Sequence, residues 1–126
     1  MGVFSVEIAV GDNEGRQWRE LSATVDTASF VSSVPGSVLR DLGVVPATEM
    51  PFQLADGTMR IMDVAHTWLR VNGQEVMTNI AFNDEYASPL LGSLALETLM
   101  LSVDPARGRL VPWHFIRDYS RFLPEK

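Results

Sequence analysis

The 126-residue chain contains no cysteine. Disulfide bonds, thiolate nucleophiles and thiolate metal sites are therefore excluded, and a cysteine-free chain fits the cytoplasm, where we expect the protein. Basic residues are also scarce, because ten Lys and Arg stand against sixteen Asp and Glu, giving a net charge of −6. Nucleic acids and anionic membranes bind basic surfaces, so we expect neither as a partner.

The sequence also lacks long apolar runs and metal-ligand spacings. Its apolar stretches fall short of the roughly 20 residues that a membrane-spanning helix requires. The histidines, His66 and His114, lie far apart and have no partners at the spacing of a metal site. We therefore expect no metal and no cofactor. With 46% hydrophobic residues, the chain is long enough for one globular domain with its own core.

Short alternating segments separated by turn residues make up most of the chain. Apolar and polar residues alternate from Phe4 to Val10 and again from Gln17 to Val25, which predicts a β-hairpin. Asp56-Gly57 and Asn72-Gly73 lie between further β-like runs, and such pairs favour tight hairpin turns. Many short strands with close turns predict a mostly-β barrel or sandwich with one or two short helices.

The two helices are predicted from their flanking residues. Ser37 and Ser93 each precede a short apolar segment and are expected to act as N-caps. Pro46 and Pro51 are expected to bracket an irregular connection. In the tail, residues 113–126, apolar side chains at spacings of three and four predict one further short helix.

Asp26 follows the second predicted strand and is followed by Thr27, Ala28 and Ser29. A strand with one buried face thus delivers a carboxylate to a turn of small residues. Asp favours turns in general, so these four residues alone are more typical of a plain turn than of a catalytic site. A second signal, Leu90-Leu91-Gly92, lies far downstream. Alone it is a weak signal, because a core strand with a glycine bend has the same pattern.

In their joint order, these segments resemble the retropepsin-like (retroviral-type) aspartic proteases, and in particular single-domain bacterial members. That family has Asp-Thr/Ser-Gly-Ala/Ser after an apolar strand, a hydrophobic-hydrophobic-Gly segment before a helix, and in bacterial members a Pro nine residues after the Asp and a closing hairpin. The matching positions are Asp26 to Ser29, Pro35, Leu90 to Gly92, and the segment 101–112. The similarity covers about residues 4–112.

The resemblance implies a closed β-barrel of the acid protease type over residues 1–112, with the tail 113–126 outside it. It implies that Asp26 is the catalytic carboxylate and that Thr27 braces the loop by hydrogen bonding across a two-fold axis. Ala28 and Ser29 complete the loop. With one such motif in the chain, the second carboxylate must come from another copy, so a symmetric homodimer is expected.

The resemblance also implies a flap, a hairpin that covers bound peptide. Its tip falls on Ala55, Asp56, Gly57 and Thr58. The chemistry requires two carboxylates that share one proton, so that one acts as general base on a water and the other as general acid. A peptide or protein is the expected substrate.

Ala28 departs from the family pattern, which has Gly at this position. A positive φ in the loop would strain an alanine, whereas a negative φ would cost little. Two hypotheses therefore follow. The first is an aspartic endopeptidase that is active as a homodimer, and the second is a catalytically inactive retropepsin-like dimer that acts as a peptide-binding or assembly module.

Overall fold

The alternating segments of the sequence form β-strands. The computed structural model of the protein describes residues 2–113. In chain order they form β1 (Gly2–Gly11), β2 (Trp18–Asp26), β3 (Ser32–Pro35), α1 (Gly36–Asp41), β4 (Thr48–Gln53), β5 (Met59–Val71), β6 (Gln74–Asn83), β7 (Leu90–Leu91), α2 (Ser93–Leu99), β8 (Leu101–Asp104) and β9 (Arg109–Pro112). The mostly-β prediction is confirmed. The helix predicted beyond Trp113 lies outside the described residues.

Six of the strands pair in a closed circuit. β1 pairs with β2, β2 with β7, β7 with β3, β3 with β6, and β6 with β5, and β5 returns to β1. The strand pairing therefore closes on itself, as the expected barrel requires. β4 pairs with the outer part of β5 and extends from the circuit as one arm of a hairpin. β8 and β9 form a separate two-stranded sheet.

The interior of the circuit is apolar. Leu69 on β5, Ile80 on β6 and Leu91 on β7 are buried at 0% exposure, and so is Leu39 on α1. They pack in one cluster with Leu96, which brings α2 onto the same core. Complete burial of a side chain of this size contributes roughly 1.5–3 kcal/mol. The core thus fixes both helices against the strands that carry the candidate site.

The predicted hairpin turns are confirmed. Asn72 and Gly73, between β5 and β6, have φ values of 53° and 78°, and positive φ at both positions is what a tight two-residue hairpin turn requires. At the end of the β4–β5 hairpin, the Leu54 N–H donates to the Thr58 carbonyl at 2.8 Å. β5 runs unbroken through both hairpins.

The predicted serine caps are wrong. Pro35 is the N-cap of α1 and Gly92 is the N-cap of α2, and neither cap makes a side-chain hydrogen bond. Ser37 and Ser93 lie inside the helices, one or two positions too far along the chain for their hydroxyls to cap the first turn. Ser37 instead donates to the distant Glu85. Within residues 2–113, neither helix has the length and apolar content needed to cross a bilayer.

Pro51 also differs from its prediction, because it lies within β4, opposite Ile61 of β5. β4 is at the edge of the sheet, paired on one side with β5. An edge strand tolerates proline, since the missing N–H can be on the side that has no neighbouring strand. The predicted irregular connection therefore ends before Thr48.

Candidate active site

Asp26 is the last residue of β2 and is half-buried. The backbone N–H of Ala28 donates to Oδ1 of Asp26 at 3.1 Å. Ser29 donates its N–H to the Asp26 carbonyl at 3.1 Å and its hydroxyl to Oδ2 of Asp26 at 3.4 Å. The loop therefore folds back on its own aspartate and orients the carboxylate. Thr27, between these residues, is exposed.

Ala28 adopts a backbone conformation that suits an alanine. Within residues 2–113, the non-glycine residues with positive φ are Asn72 and Met100. Ala28 is thus outside the region that favours glycine, and its methyl group causes no backbone strain there. Its side chain is exposed and lines a cleft.

β7 inserts Leu90 and Leu91 between the strands that flank the loop. β7 runs parallel to β2, where Leu90 lies opposite Thr24, and antiparallel to β3, where Leu90 lies opposite Ser33. Leu91 is fully buried and lies opposite Val25 of β2. The short strand therefore joins the segment before Asp26 to the segment after it.

Gly92 allows α2 to begin directly against the Asp26 loop. The Ser93 N–H donates to the Ser29 carbonyl at 2.8 Å, and the Gly92 N–H donates to Oγ of the buried Ser32 at 2.9 Å. A Cβ atom at position 92 would lie 2.7 Å from the Ser29 carbonyl oxygen and 2.8 Å from that of Phe30. Such contacts are far inside van der Waals distance, so a glycine is required here. We call residues 26–33, with Leu90 to Ser93, the floor of the site.

The β4–β5 hairpin lies across a cavity from the floor. The cavity has a volume of about 220 Å³ and its lining includes Asp26, Ser29 and Leu90 of the floor and Phe52 and Ala55 of the hairpin. Among the predicted flap residues, Ala55 therefore shares a cavity with Asp26. The other three, Asp56, Gly57 and Thr58, are exposed at the tip and are not part of this lining.

A second cleft adjoins the first. Its volume is about 370 Å³, and it is lined by Ala28 to Val31 on one side and by Met50 to Gln53 on the other. Ser29 and Phe52 line both spaces. The two spaces therefore form one groove between the floor and β4, in which Asp26 supplies a carboxylate and Phe30, Val31 and Phe52 supply apolar walls.

An ion pair connects the hairpin to the loop before β7. Arg60 of β5 donates from Nη1 to Oδ2 of Asp84 at 2.7 Å and from Nη2 to Oδ1. These hydrogen bonds hold the pKa of Asp84 below its ordinary value of 3.8, and they raise the pKa of Arg60. Because the pKa of Asp84 is lowered, the ion pair is fully formed above the ordinary value and is lost only as the pH falls through the lower pKa.

Glu85, the neighbour of Asp84, contacts the opposite side. Ser37, at the start of α1, donates its hydroxyl and its backbone N–H to the Glu85 carboxylate, the latter at 3.0 Å. These two hydrogen bonds, the hydroxyl first, lower the pKa of Glu85. The loop of residues 84–89 is thereby tied to α1 as well as to the hairpin.

Sequence reasoning did not identify Ser32, Arg60 or Asp84. Ser32 had one usable signal in the sequence, because it is a polar residue in a short β-like segment between Val31 and Val34. Arg60 and Asp84 are 24 residues apart and gave no local signal. Within residues 2–113, no group of three or more His, Asp or Glu side chains has the geometry to hold a metal ion.

No protein-family model and no curated protein matches the chain. Among solved structures, the chain is similar to the solution structure of the simian foamy virus (mac) protease, with a TM-score of 0.54 and 23% sequence identity. The match covers 76% of this chain and 94% of the viral one. At this identity the likeness concerns the fold. The chain therefore has the mostly-β, retropepsin-like fold of a retroviral protease.

Proposed function

We propose that the protein is an aspartic endopeptidase of the retropepsin type and that it acts as a homodimer. One observation carries the proposal: the Asp26 carboxylate is oriented by its own loop and lines a cavity that lies beneath the β4–β5 hairpin. The retropepsin-like fold supports it. The more specific parts of the proposal are a single-domain bacterial type of enzyme and a cytoplasmic location.

The reaction requires the Asp26 carboxylates of two copies. Two carboxylates at hydrogen-bonding distance share one proton, because both cannot be ionised so close together. The ionised group removes a proton from a water that attacks the peptide carbonyl, and the protonated group donates to the carbonyl oxygen. A proton then passes to the leaving nitrogen. Exposure of Thr27 next to Asp26 supports its proposed role in hydrogen bonding to the partner copy.

The proposed substrate is an extended peptide that lies in the groove between the floor and β4. β4 is an edge strand, so its outer side has backbone groups suited to strand-like pairing with a peptide. Phe30, Val31 and Phe52 favour apolar substrate side chains. The competing hypothesis of an inactive peptide-binding dimer was based on backbone strain at Ala28. Ala28 does not have a positive φ, so this reason for inactivity does not apply.

The test is cleavage of a peptide library at several pH values by the wild-type protein and by Asp26→Asn. We expect the substitution to reduce cleavage by at least roughly 10²–10⁴-fold, since it removes the group that carries the proton transfers. Asp41→Asn is the matched control. Asp41 is an exposed carboxylate at the end of α1 that contacts Arg19 at 3.4 Å, so the control should cleave like the wild type.

Cleavage that persists in Asp26→Asn would refute the assignment. Sedimentation at the same concentrations establishes the oligomeric state, and specific activity should rise with protein concentration if the dimer is the active species. A wild-type dimer that binds peptides without cleaving them at any pH would instead identify the inactive module.

A further inference from the structure

We propose that the Arg60–Asp84 ion pair is a latch that holds the β4–β5 hairpin over the Asp26 cavity. Arg60 and Asp84 are then positioning residues for turnover, and this part of the inference rests on the proposed endopeptidase function. The mechanical part, in which the pair sets the height of the hairpin above the floor, does not depend on catalysis.

The outer part of the hairpin extends beyond the closed circuit of strands. β5 pairs with β6 from Val64 to Val71, whereas residues 59–63 pair with β4. At the tip, the N–H groups of Leu54 and Gly57 donate to the carbonyls of Thr58 and Leu54. These backbone bonds join the hairpin to itself. At residues 59–63, where β5 has left β6, the hairpin therefore contacts the rest of the molecule through its side chains.

Those side chains contact the rest of the molecule through apolar packing and through the Arg60–Asp84 ion pair. Phe52 and Leu54 are half-buried and pack against a cluster that contains Val31 of the floor and Ala81 of β6 together with Met62 and Val64 of β5, and they also line the cavity that contains Asp26. A peptide that enters the cavity must displace part of this apolar contact. Arg60 and Asp84 are not among the residues that line the cavity, so their ion pair can persist while a peptide is bound.

The Asp84 end of the latch is fixed to the floor side of the site. The Asp84 N–H donates to Oδ1 of Asn83 at 2.8 Å, and Asn83 lines the cavity. At the other end of the loop, the Pro89 carbonyl accepts the N–H of Thr24, on the strand that carries Asp26, at 2.9 Å. Asn83 in turn donates from Nδ2 to Oγ of Ser33 in the floor at 3.4 Å. Arg60 is therefore paired with a loop that is bonded to β2 and, through Asn83, to the floor.

The geometry of the pair suits a latch that can open. Two parallel hydrogen bonds between a guanidinium and a carboxylate fix their relative orientation better than a single contact does. The Arg60 and Asp84 side chains are nevertheless 36% and 62% exposed, and ion pairs at such positions are weak and are screened by salt. We therefore expect loss of the ion pair to increase the population of molecules with the hairpin raised from the floor by about two- to fivefold.

The absence of cysteine allows a direct test, since labels attach only where a cysteine is introduced. Met59 and Tyr86 are 63% and 100% exposed, one near the hairpin tip and the other in the loop that holds Asp84. Spin labels at Met59→Cys and Tyr86→Cys, in protein diluted with unlabelled chain, report the intrachain distance. In Asp84→Asn, we expect the longer-distance population to grow by about two- to fivefold, and high salt should do the same to the wild type.

A charge-exchange variant distinguishes loss of the ion pair from general damage to the loop. The double variant Arg60→Asp, Asp84→Arg should restore the short distance, because it reverses the pair without removing it. Asp41→Asn, which weakens another exposed ion pair, should leave the distance unchanged. An unchanged distance in Asp84→Asn overturns the latch, and so does a lengthened distance that the exchange fails to restore.

Peptide cleavage separates this inference from the proposed function. If the enzyme is active, Asp84→Asn should raise KM by about two- to fivefold and change kcat less, because the hairpin holds the peptide while Asp26 performs the chemistry. Cleavage that depends on Asp26 with unchanged label distances overturns the latch alone. Cleavage that survives Asp26→Asn overturns the function alone, and the distances still decide whether the latch exists.

Discussion

The floor and the β4–β5 hairpin face each other across one cavity but are held in different ways. The two segments of the floor are joined to each other, because the N–H groups of Gly92 and Ser93 donate to Ser32 and Ser29 and β7 pairs with both β2 and β3. The outer hairpin is bonded mainly to itself, with one ion pair to a neighbouring loop. The Asp26 carboxylate is thus held by many bonds and the hairpin by few, and this difference suits the proposed endopeptidase, in which the chemistry needs a fixed carboxylate and substrate entry needs an adjustable cover.

Gly92→Ala should disrupt the floor and have the largest effect on stability and on cleavage among the following variants. The added methyl group would meet two backbone carbonyl oxygens at 2.7 and 2.8 Å, and neither can move without moving the Asp26 loop. We expect a loss of about 1–3 kcal/mol in the free energy of unfolding. Cleavage should fall by roughly 10²-fold, because the loop that orients Asp26 is displaced. Chemical denaturation and peptide cleavage measure the two effects.

Gly43→Ala is the matched control for that variant. Gly43 has a φ of 79° and nothing within 4 Å of an added Cβ, so an alanine there is strained by about 1–2 kcal/mol without touching the floor. Stability should fall while cleavage by the folded protein stays at the wild-type level. Equal losses of cleavage in the two variants would contradict the special role of Gly92.

Ser32→Ala should weaken the floor without displacing it. Ser32 is 2% exposed and its Oγ accepts the Gly92 N–H. The substitution leaves that buried N–H without its acceptor, which typically costs about 1–3 kcal/mol. Thermal or chemical denaturation should detect the loss, and Ser102→Ala on the exposed face of β8 should not produce it. A neutral Ser32→Ala would mean that the floor does not depend on this bond.

Ala28→Gly should have the smallest effect on cleavage. Since Ala28 is exposed and has no positive φ, restoring the family glycine relieves no backbone strain. We expect cleavage rates to change by no more than about twofold. A large gain in activity would show that the methyl group obstructs the assembled site, and would revive the hypothesis of an inactive module.

The parts of the fold that depend on local chemistry were predictable from the sequence. Asn72-Gly73 has the residues that its turn conformation demands, and Asp26 ends a strand whose alternation defines its buried face. Gly92 was identified by its place in a motif, but the reason for it is a contact with carbonyls more than 60 residues earlier in the chain. Spacing alone does not reveal such a contact.

The errors have a common physical origin. Ser37 looked like a helix cap because its neighbours suited one, yet its partner is Glu85, which belongs to a remote loop. Pro51 looked like a strand breaker because the sequence does not indicate that β4 is an edge strand. The Arg60–Asp84 pair was missed for the same reason. In each case the deciding feature is the tertiary arrangement of segments that are distant in the sequence.

The position of β7 in the strand circuit also has a consequence for biosynthesis. The two residues of β7 lie opposite Thr24 and Val25, which were synthesised long before them. Contacts between such distant segments form late, because a long loop must close first. A growing chain on the ribosome therefore lacks the floor until Leu90 to Ser93 have emerged. The order of translation itself delays completion of the floor until most of the barrel has been made.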